Sequence, residues 1–549
     1  MFTKIYNFLR YFIPNKLKSN KVFKYFTNIL GIVIFISIMT FWGINKINLK
    51  KLEILENKVL NNITNTTYLN QYIYNKWHRC DYSSFSNIEK CMKIKVPLNW
   101  NDKNSKKIGI YVKKYGNPKP KRIVVLLSGG PGGVGSSYTD LAKDLYHNDK
   151  DQLFLIPDHR GSGFSENLWC ERDKRVLSIQ DIDNKKFEAC FKDLKDKWKN
   201  DLQYFNSWQA GMDIHAILEM YPNIPVSIYA SSYGTIWAQR VLSKKNKNIQ
   251  KVYLESPILL GHGNFYDRNV EDPIKVFYDS CKESPYCSEK MNLNSFDDLK
   301  ILFKNVQNHE HCSHHFPNEL REIISKKSIW LLQYNYTAPL FAFLISSIKS
   351  CDEHQIKNIF KYKNEINITE IGNYKYSSYL HYNIFCNEIT NRKLTKNDKY
   401  LYSKNSSNHF GFVDNSVEKC SAVPEYEIEK SNFSFLKESS YKTLIVHGEA
   451  DTSTTREFAL ALKTKFLEEN TKFISIKKLA HIPFAFRINY DEFFEDKYHE
   501  AEKCRFHILS DFFKDTNDWP DLTCTENIYP PIYSSDNALK LYEKIFNNI

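Results

Sequence analysis

The 549-residue sequence lacks the patterns that mark several large classes of protein. It has no internal repeat. With 42% hydrophobic and 25% charged residues, it shows neither the low hydrophobicity of disordered chains nor the apolar excess of multi-span membrane proteins. Its formal charge is +13, yet lysine and arginine are scattered among aspartate and glutamate and form no basic stripe. We therefore expect two or more folded units that bind no nucleic acid.

The first 75 residues predict attachment to a membrane by one helix. Residues 25–44 carry no charged side chain, and a helix of that length spans about 30 Å, the hydrocarbon thickness of a bilayer. Residues 1–24 are basic and contain no acidic residue, so positive-inside bias keeps them in the cytosol, as in a type II signal anchor. Residues 45–75 contain neither Gly nor Pro and are predicted to form a stalk. The alternative is a cleaved signal peptide and a secreted protein.

The 12 cysteines test this placement independently, because thiols pair in a lumenal or extracellular compartment and not in the cytosol. Several lie close in sequence, which favours short-range disulfides but does not establish connectivity. These neighbours are Cys80 and Cys91, Cys170 and Cys190, Cys281 and Cys287, and Cys504 and Cys524. Asn-x-Ser/Thr sequons, Asn335 among them, also fit a secretory route, but an Asn-rich chain produces them by chance.

From Lys106 onward, short β-branched runs alternate with helical stretches, which predicts a mostly parallel sheet with helices between its strands. The rhythm stops after Pro257 and resumes at 443–446. We therefore predict core segments 76–259 and 436–549, separated by a mainly helical cap insertion at 260–435. Such an insertion would lie over the carboxyl ends of the strands, where open α/β sheets bind ligands. The predicted strands are 108–112, 123–127, 153–156, 226–229, 252–254, 443–446 and 473–476.

A candidate nucleophile lies between a predicted strand and a predicted helix. The run 230–234, Ala-Ser-Ser-Tyr-Gly, sets Ser232 between small residues, as in a nucleophile elbow, where a tight turn exposes the hydroxyl. A serine nucleophile needs a base and a group to orient that base. Asp451 follows the predicted strand 443–446, and His481 follows the next. Serine, acid and histidine in this order are typical of the α/β-hydrolase fold, and we predict these three as the triad.

Other residues compete for two of these roles. Glu449 lies in the same turn as Asp451 and is the alternative acid. His447 and His507 are weaker alternative bases.

A glycine-rich segment, Ser-Gly-Gly-Pro-Gly-Gly at 128–133, follows the predicted strand 123–127. Backbone N–H groups in such a loop can approach the oxyanion of a tetrahedral intermediate without side-chain obstruction. We predict that Gly130 and Tyr233 donate these N–H groups. No Gly-Lys-Ser/Thr ending follows, so a phosphate-binding P-loop is a poor alternative.

Three segments resemble the proline iminopeptidase family. Residues 128–132 resemble its H-G-G-P-G loop, 158–165 its D-x-R-G-x-G-x-S segment, and 230–234 its G-x-S-Y-G elbow. Within that family the chain is more similar to tripeptidyl-aminopeptidase-like secreted hydrolases, over about residues 76–530. That similarity rests on Trp77, Cys80, Cys91 and Val96-Pro97-Leu98, which resemble the entry segment, and on the C-terminal pair Cys504 and Cys524.

The resemblance implies an α/β-hydrolase with a helical cap that cuts short peptides from a free N-terminus. It further implies an acidic cap residue that holds the substrate ammonium, and Asn383-Ile384-Phe385-Cys386-Asn387-Glu388 resembles the cap segment that carries it. Glu388 is our candidate, with a solvated helix position as the alternative. The chain departs from the family at Ser128, Ala230 and Ala480, and it lacks the Pro often found after the acid, so substrate choice stays open.

One further cluster suggests a metal. The run 309–315 contains four histidines and Cys312, but the spacing fits no standard zinc finger and Cys312 has possible disulfide partners. We expect neither metal nor cofactor. The sequence thus predicts a serine hydrolase acting on peptides, with an esterase or lipase as the first alternative and an inactive protein of the same fold as the second.

Overall fold

The computed structural model of the chain describes residues 76–80, 88–170, 184–261, 269–335, 337–361, 376–390, 419–427, 434–437, 440–483, 497–514 and 518–527. The predicted basic segment, anchor and stalk, residues 1–75, lie outside these ranges. No helix within the described ranges combines the length and the apolar character needed to cross a bilayer.

The described residues contain one eight-stranded sheet, in the order β1-β2-β4-β3-β5-β6-β7-β8. β1 and β2 are antiparallel to their neighbours, and the strands from β4 to β8 are paired in parallel. This confirms the predicted mostly parallel sheet. The strands are β1 Glu89–Pro97, β2 Lys107–Gly116, β3 Arg122–Leu127, β4 Gln152–Pro157, β5 Val226–Ser231, β6 Ile249–Glu255, β7 Lys442–Gly448 and β8 Thr471–Ile476.

Helices connect the strands and fill the insertion. The α-helices with defined bounds are α1 Thr139–Asn148, α2 Asn184–Trp198, α3 Ser207–Leu218, α4 Gly234–Leu242, α5 Glu271–Glu283, α6 Pro285–Met291, α7 Phe296–Gln307, α8 Asn318–Lys327, α9 Pro339–Lys349, α10 Ser378–Ile384, α11 Ser434–Lys437, α12 Arg456–Lys463 and α13 Lys497–Phe513. A π-helix, Phe385–Ile389, follows α10 directly. Shorter 3₁₀ turns cover Gly135–Tyr138, Lys199–Tyr204, Ser328–Leu331, Glu468–Asn470 and Thr523–Asn527.

Both faces of the sheet are buried, because alternate side chains of each strand point to opposite faces. In β3, Ile123 and Val125 pack with α2, α3 and α4, whereas Val124 and Leu126 pack with α1 and α13. Burial on both faces explains why β3 reads as a continuous apolar run. Helices therefore cover both faces, as predicted.

Sequence analysis missed β1. This strand pairs antiparallel with β2 at the edge of the sheet, and charged residues alternate with buried ones along it. An edge strand that buries only one set of side chains lacks the continuous apolar run that identifies the central parallel strands.

Between β6 and β7 the chain leaves the sheet, and the elements described there are helical. Helices α5 to α9 surround a hydrophobic core of their own, which extends from Val270 to Phe360. α10 and the π-helix instead pack into the cluster that covers one face of the sheet. Within the insertion, α9 begins at Pro339, because proline is tolerated in the first turn of a helix, where its missing N–H would have no intrahelical partner.

All 12 cysteines form disulfides, so the four predicted neighbouring pairs are confirmed. The remaining bonds join Cys312 to Cys351 and Cys386 to Cys420. These two lie within the insertion and span 39 and 34 residues, too far apart for sequence proximity to have revealed them.

Candidate active site

Ser232 lies in a sharp turn between β5 and α4. Its φ is +52°, a left-handed conformation that costs a non-glycine residue about 1–3 kcal/mol. Its N–H donates to Glu255 O at the end of β6, which fixes the turn against the neighbouring strand. Glycine is required at position 234, two residues after Ser232, because a Cβ there would lie 2.4 Å from Leu127 O. The predicted elbow is therefore a strained turn whose shape depends on a small residue.

The neighbouring serine is not an equivalent nucleophile. Ser231 is completely buried, and its hydroxyl is hydrogen-bonded to Tyr138. Ser232 keeps 9% of its surface exposed. Of the two adjacent hydroxyls, Ser232 is the one that a substrate can reach.

Asp451 and His481 form a buried pair at the ends of β7 and β8. His481 Nδ1 lies 2.8 Å from Asp451 Oδ2, and both side chains are almost fully enclosed. The other oxygen, Asp451 Oδ1, accepts the N–H groups of Ser453 and Thr454, each at 2.8 Å. Burial alone would raise the pKa of Asp451, but the charge and hydrogen bond of His481 and the Thr454 N–H lower it to about 2. The carboxylate thus stays ionised and orients the imidazole.

The competing residues have other partners. His447 is fully buried and its Nε2 lies 3.0 Å from Thr454 O, and burial lowers its pKa. His507 lies on α13, half exposed, 3.2 Å from Asp511. No hydrogen bond in the described residues joins Glu449 to His481; its N–H donates to Ile476 O.

The nucleophile and the histidine loop are held by two consecutive residues, the last residue of β6 and the one that follows it. Glu255 O accepts the Ser232 N–H, and Ser256 Oγ accepts the Ile482 N–H at 2.9 Å. No hydrogen bond joins Ser232 Oγ to His481 in the described residues. This is common in ligand-free sites, where catalytic hydrogen bonds tighten only when substrate binds.

The glycine loop lies directly against the nucleophile. A Cβ on Gly129 would stand 3.0 Å from Ser232 Cβ, so a side chain there would crowd the nucleophile. Among the described residues, neither the Gly130 N–H nor the Tyr233 N–H has a hydrogen-bond acceptor. These are the two groups that the sequence predicts as oxyanion donors, and both are free to bind a substrate oxygen.

The side chain of Tyr233 is fixed by His159, a residue that sequence analysis did not single out. His159 Nδ1 lies 2.6 Å from Arg160 O, which can only accept, so Nδ1 carries the proton and Nε2 accepts from the Tyr233 hydroxyl at 3.0 Å. Burial lowers the pKa of His159 to about 3 and keeps it neutral. In the sequence it stands only at the variable position of the D-x-R-G motif.

The arginine of that motif is structural. Arg160 is completely buried and paired with Asp213 in α3. Its guanidinium also donates to Leu98 O and Tyr204 O, at 2.6 and 3.0 Å. Arg160 thus ties β1 and α3 to the loop that carries His159.

Two residues of the insertion are hydrogen-bonded to the glycine loop. The Ser377 N–H donates to Gly132 O at 2.9 Å, and the Tyr376 hydroxyl donates to Pro131 O at 2.6 Å. A Cβ on Gly132 would lie 2.2 Å from Ser377 O, so this glycine permits the contact. Residues of the insertion therefore border the oxyanion loop.

Glu388 lies in the π-helix and is buried, which excludes the solvated alternative. Its Oε1 accepts the Ser207 N–H at 3.0 Å and the Tyr426 hydroxyl at 2.8 Å. Arg240 Nη2 lies 3.8 Å from Oε2. The resemblance implies that the substrate ammonium pairs with this carboxylate, whereas in the structure the chain itself supplies a cation from α4. No local pattern in the sequence marks Arg240 as that partner.

Two residues of the histidine-rich run, His311 and Cys312, form a group with metal-ligand geometry together with Cys351, among the described residues. Both of its sulfurs belong to the Cys312–Cys351 disulfide. His311 Nε2 lies 2.8 Å from Ile348 O. With its thiolates consumed, this group does not suit a zinc ion.

A family model described as the alpha/beta hydrolase fold matches residues 122–280, the segment that contains β3, the elbow and β6. The chain has the α/β-hydrolase fold. The sheet order, the elbow after β5, the acid after β7 and the histidine after β8 all belong to this hydrolase architecture. A comparison with curated protein sequences found no match.

Solved structures similar to this chain include three enzymes, each at low identity. An esterase from Exiguobacterium antarcticum is 13% identical, with 74% of this chain and 97% of that chain covered and a TM-score of 0.31. A carboxyl esterase from Bacillus coagulans is 12% identical, with 77% and 99% covered and a TM-score of 0.33. The 2-hydroxy-6-oxo-6-phenylhexa-2,4-dienoate hydrolase from Rhodococcus sp. strain RHA1 is 14% identical, with 74% and 96% covered and a TM-score of 0.30.

Proposed function

We propose that this chain is a serine hydrolase that forms an acyl-enzyme on Ser232. The observation that carries the proposal is the buried 2.8 Å hydrogen bond between His481 Nδ1 and Asp451 Oδ2, at the ends of two neighbouring strands near the elbow. This bond orients the imidazole so that Nε2 faces away from the acid and is available as a base.

The reaction follows from these groups. Ser232 Oγ attacks the substrate carbonyl carbon while His481 Nε2 takes the hydroxyl proton. The new O–C bond creates a tetrahedral oxyanion, which the N–H groups of Gly130 and Tyr233 stabilise. The bond to the leaving group breaks as His481 returns the proton to the departing amine or alkoxide. Water then attacks the acyl-enzyme by the same route, which releases the acid and restores Ser232.

Short peptides with a free N-terminus are the proposed substrates. Support comes from the resemblance of the glycine loop, the D-x-R-G segment and the elbow to proline iminopeptidases. In this proposal Glu388 attracts the substrate ammonium. An esterase is the second candidate, and the contacts of Glu388 favour it: Ser207, Tyr426 and Arg240 already satisfy the carboxylate.

The proposed location is a lumenal or extracellular compartment, with a type II anchor at residues 25–44. The six disulfides support an oxidising compartment, because cytosolic thiols are kept reduced. Protease protection of the full chain in sealed microsomes tests this topology. Digestion of the catalytic part in intact vesicles would contradict it.

A fluorophosphonate probe tests the nucleophile, because it reacts with activated serines. We expect labelling of the native chain and its loss in Ser232→Ala. Ser231→Ala is the matched control, since it removes the adjacent hydroxyl and should keep the label. Labelling that survives Ser232→Ala would overturn the proposed function.

Paired substrates separate the two candidates. Peptides with free and acetylated N-termini are compared with a p-nitrophenyl ester, in the native chain and in Glu388→Gln. An ammonium site predicts that only the free peptides are cut well and that Glu388→Gln raises their KM while the ester is unaffected. Equal cleavage of free and acetylated peptides would favour the esterase.

A further inference from the structure

The loop that carries His481 has a backbone conformation that needs support from outside. Lys478 and Ile482 have φ values of +63° and +52°. Ile482 is β-branched, and such residues rarely adopt the left-handed region because the Cβ crowds the backbone. Each such residue costs about 1–3 kcal/mol and persists only where surrounding contacts impose it. The position of the imidazole therefore depends on what holds this loop.

Three successive N–H groups of the loop are held by side chains or backbone far away in sequence. Two of the three acceptors belong to the insertion, in the segment between α8 and α9, and the third is the residue that directly follows β6. The bonds are Ala480 N–H to Asn335 Oδ1 at 2.8 Å, His481 N–H to Gln333 O at 3.0 Å, and Ile482 N–H to Ser256 Oγ at 2.9 Å.

We propose that Asn335 is a positioning residue for His481, through which the insertion holds the catalytic histidine in place. The proposal rests on the proposed function. Of the two acceptors in the insertion, Gln333 accepts through its backbone oxygen and Asn335 through its side chain. Tyr334, between them, has its ring centroid 6.3 Å from that of the His481 imidazole, so the segment 333–335 contacts the histidine along its backbone and its ring. The insertion thus does more than border the site, because without it two of the three bonds are lost.

The same residue begins a sequon, Asn335-Tyr336-Thr337. A glycan at this position is therefore a competing explanation for any effect of an Asn335 substitution. Thr337 separates the two explanations. Its side chain is buried and its hydroxyl donates to Tyr334 O at 3.2 Å, and among the described residues it makes no hydrogen bond to the histidine loop.

Three variants separate the effect of losing the hydrogen-bond acceptor on Asn335 from the effect of losing the glycosylation sequon. Asn335→Ala removes both. Asn335→Asp keeps an oxygen that can accept the Ala480 N–H and removes the sequon. Thr337→Val keeps the Asn335 amide, preserves the shape of the buried side chain and removes the sequon. All three are compared with the native chain by thermal unfolding, so that a folding defect is recognised.

The kinetic readout is the split between kcat and KM on one ester substrate. We expect Asn335→Ala to lower kcat by about 10-fold or more, since displacement of a catalytic group by about 1 Å costs up to about 10²-fold, with KM changed by less than about 2-fold. Asn335→Asp should regain most of the lost kcat, and Thr337→Val should match the native chain. An equal loss in Asn335→Ala and Thr337→Val, or none in Asn335→Ala, would overturn the proposal.

Amide hydrogen exchange gives a second readout that does not depend on activity. Asn335→Ala should speed exchange in peptides covering 471–483, because the Ala480 N–H loses its acceptor and the loop is released, whereas Thr337→Val should not. Unchanged exchange in Asn335→Ala would contradict the positioning role. A native chain with no Ser232-dependent activity but with the expected exchange pattern would overturn the proposed function and leave the loop support established.

Discussion

The guanidinium of Arg240 lies 3.8 Å from the Glu388 carboxylate, with both side chains almost completely buried. Ser207 links the two groups a second time, because its hydroxyl contacts Glu388 and accepts from Arg240 Nε at 2.8 Å. The insertion, which carries Glu388, is thereby joined to α4, the helix that begins directly after the nucleophile elbow.

Loss of this carboxylate should destabilise the fold. Glu388→Gln keeps the shape of the side chain but leaves a buried guanidinium without its counter-charge, which costs about 3 kcal/mol in the free energy of unfolding. Urea unfolding measures the loss. Arg240→Met and the double variant are measured in the same way. The double variant should lose about 1 kcal/mol less than the sum of the two single-variant losses. Strict additivity would contradict an energetic link between the two residues.

Asp451→Asn should nearly abolish catalysis while leaving the fold intact. The amide cannot favour the imidazole tautomer with its proton on Nδ1, so we expect kcat to fall by about 10⁴-fold. Steady-state kinetics on an activated ester checks this. Glu449→Gln is the control, because it alters the neighbouring carboxyl without touching the hydrogen bond to His481. A larger loss in Glu449→Gln would transfer the acid role to that residue.

The low pKa of Asp451 predicts a stability that is lost in acid. A carboxyl with a pKa of about 2 in the folded chain and about 3.9 when unfolded contributes about 2.6 kcal/mol at pH values well above 4. This contribution disappears as the pH falls from about 4 toward 2, where the folded carboxyl also takes up a proton. Unfolding of the native chain and of Asp451→Asn should therefore differ less at pH 2.5 than at pH 6. A gap that stays constant with pH would contradict the ionised, hydrogen-bonded carboxylate.

Two disulfides of the insertion should contribute different amounts to the free energy of unfolding. The Cys312–Cys351 bond closes a span of 39 residues, whereas Cys281–Cys287 closes one of 6. Chain-entropy arguments give losses of about 4 and about 2 kcal/mol when each bond is removed. Paired Cys→Ser variants measured by thermal unfolding compare the two. A reversed order would show that strain or residual structure outweighs loop closure.

The central part of the fold was predictable because its signals are local. β3 to β7 are almost entirely buried, and the elbow, the acid and the histidine follow β5, β7 and β8 within a few residues. The short-range disulfides were predictable for the same reason. β1 was missed because it buries only alternate residues at the edge of the sheet.

What the sequence did not reveal depends on contacts between distant segments. Arg240 meets Glu388 across 148 positions (388 minus 240), and Asn335 meets Ala480 across 145. Neither pair lies in a periodic pattern, since each contact exists only after the insertion has folded back onto the sheet.

The Cys386–Cys420 bond has a consequence for a chain that is cut within the insertion. A protease that cleaves any peptide bond from 387 to 419 leaves two polypeptides that remain covalently joined through this bridge. On a denaturing gel such a nicked enzyme migrates as one band until a reductant is added and as two bands afterwards. Glu388 lies two residues from Cys386. Whichever fragment carries it after the cut therefore stays linked to the other fragment through the Cys386–Cys420 bond.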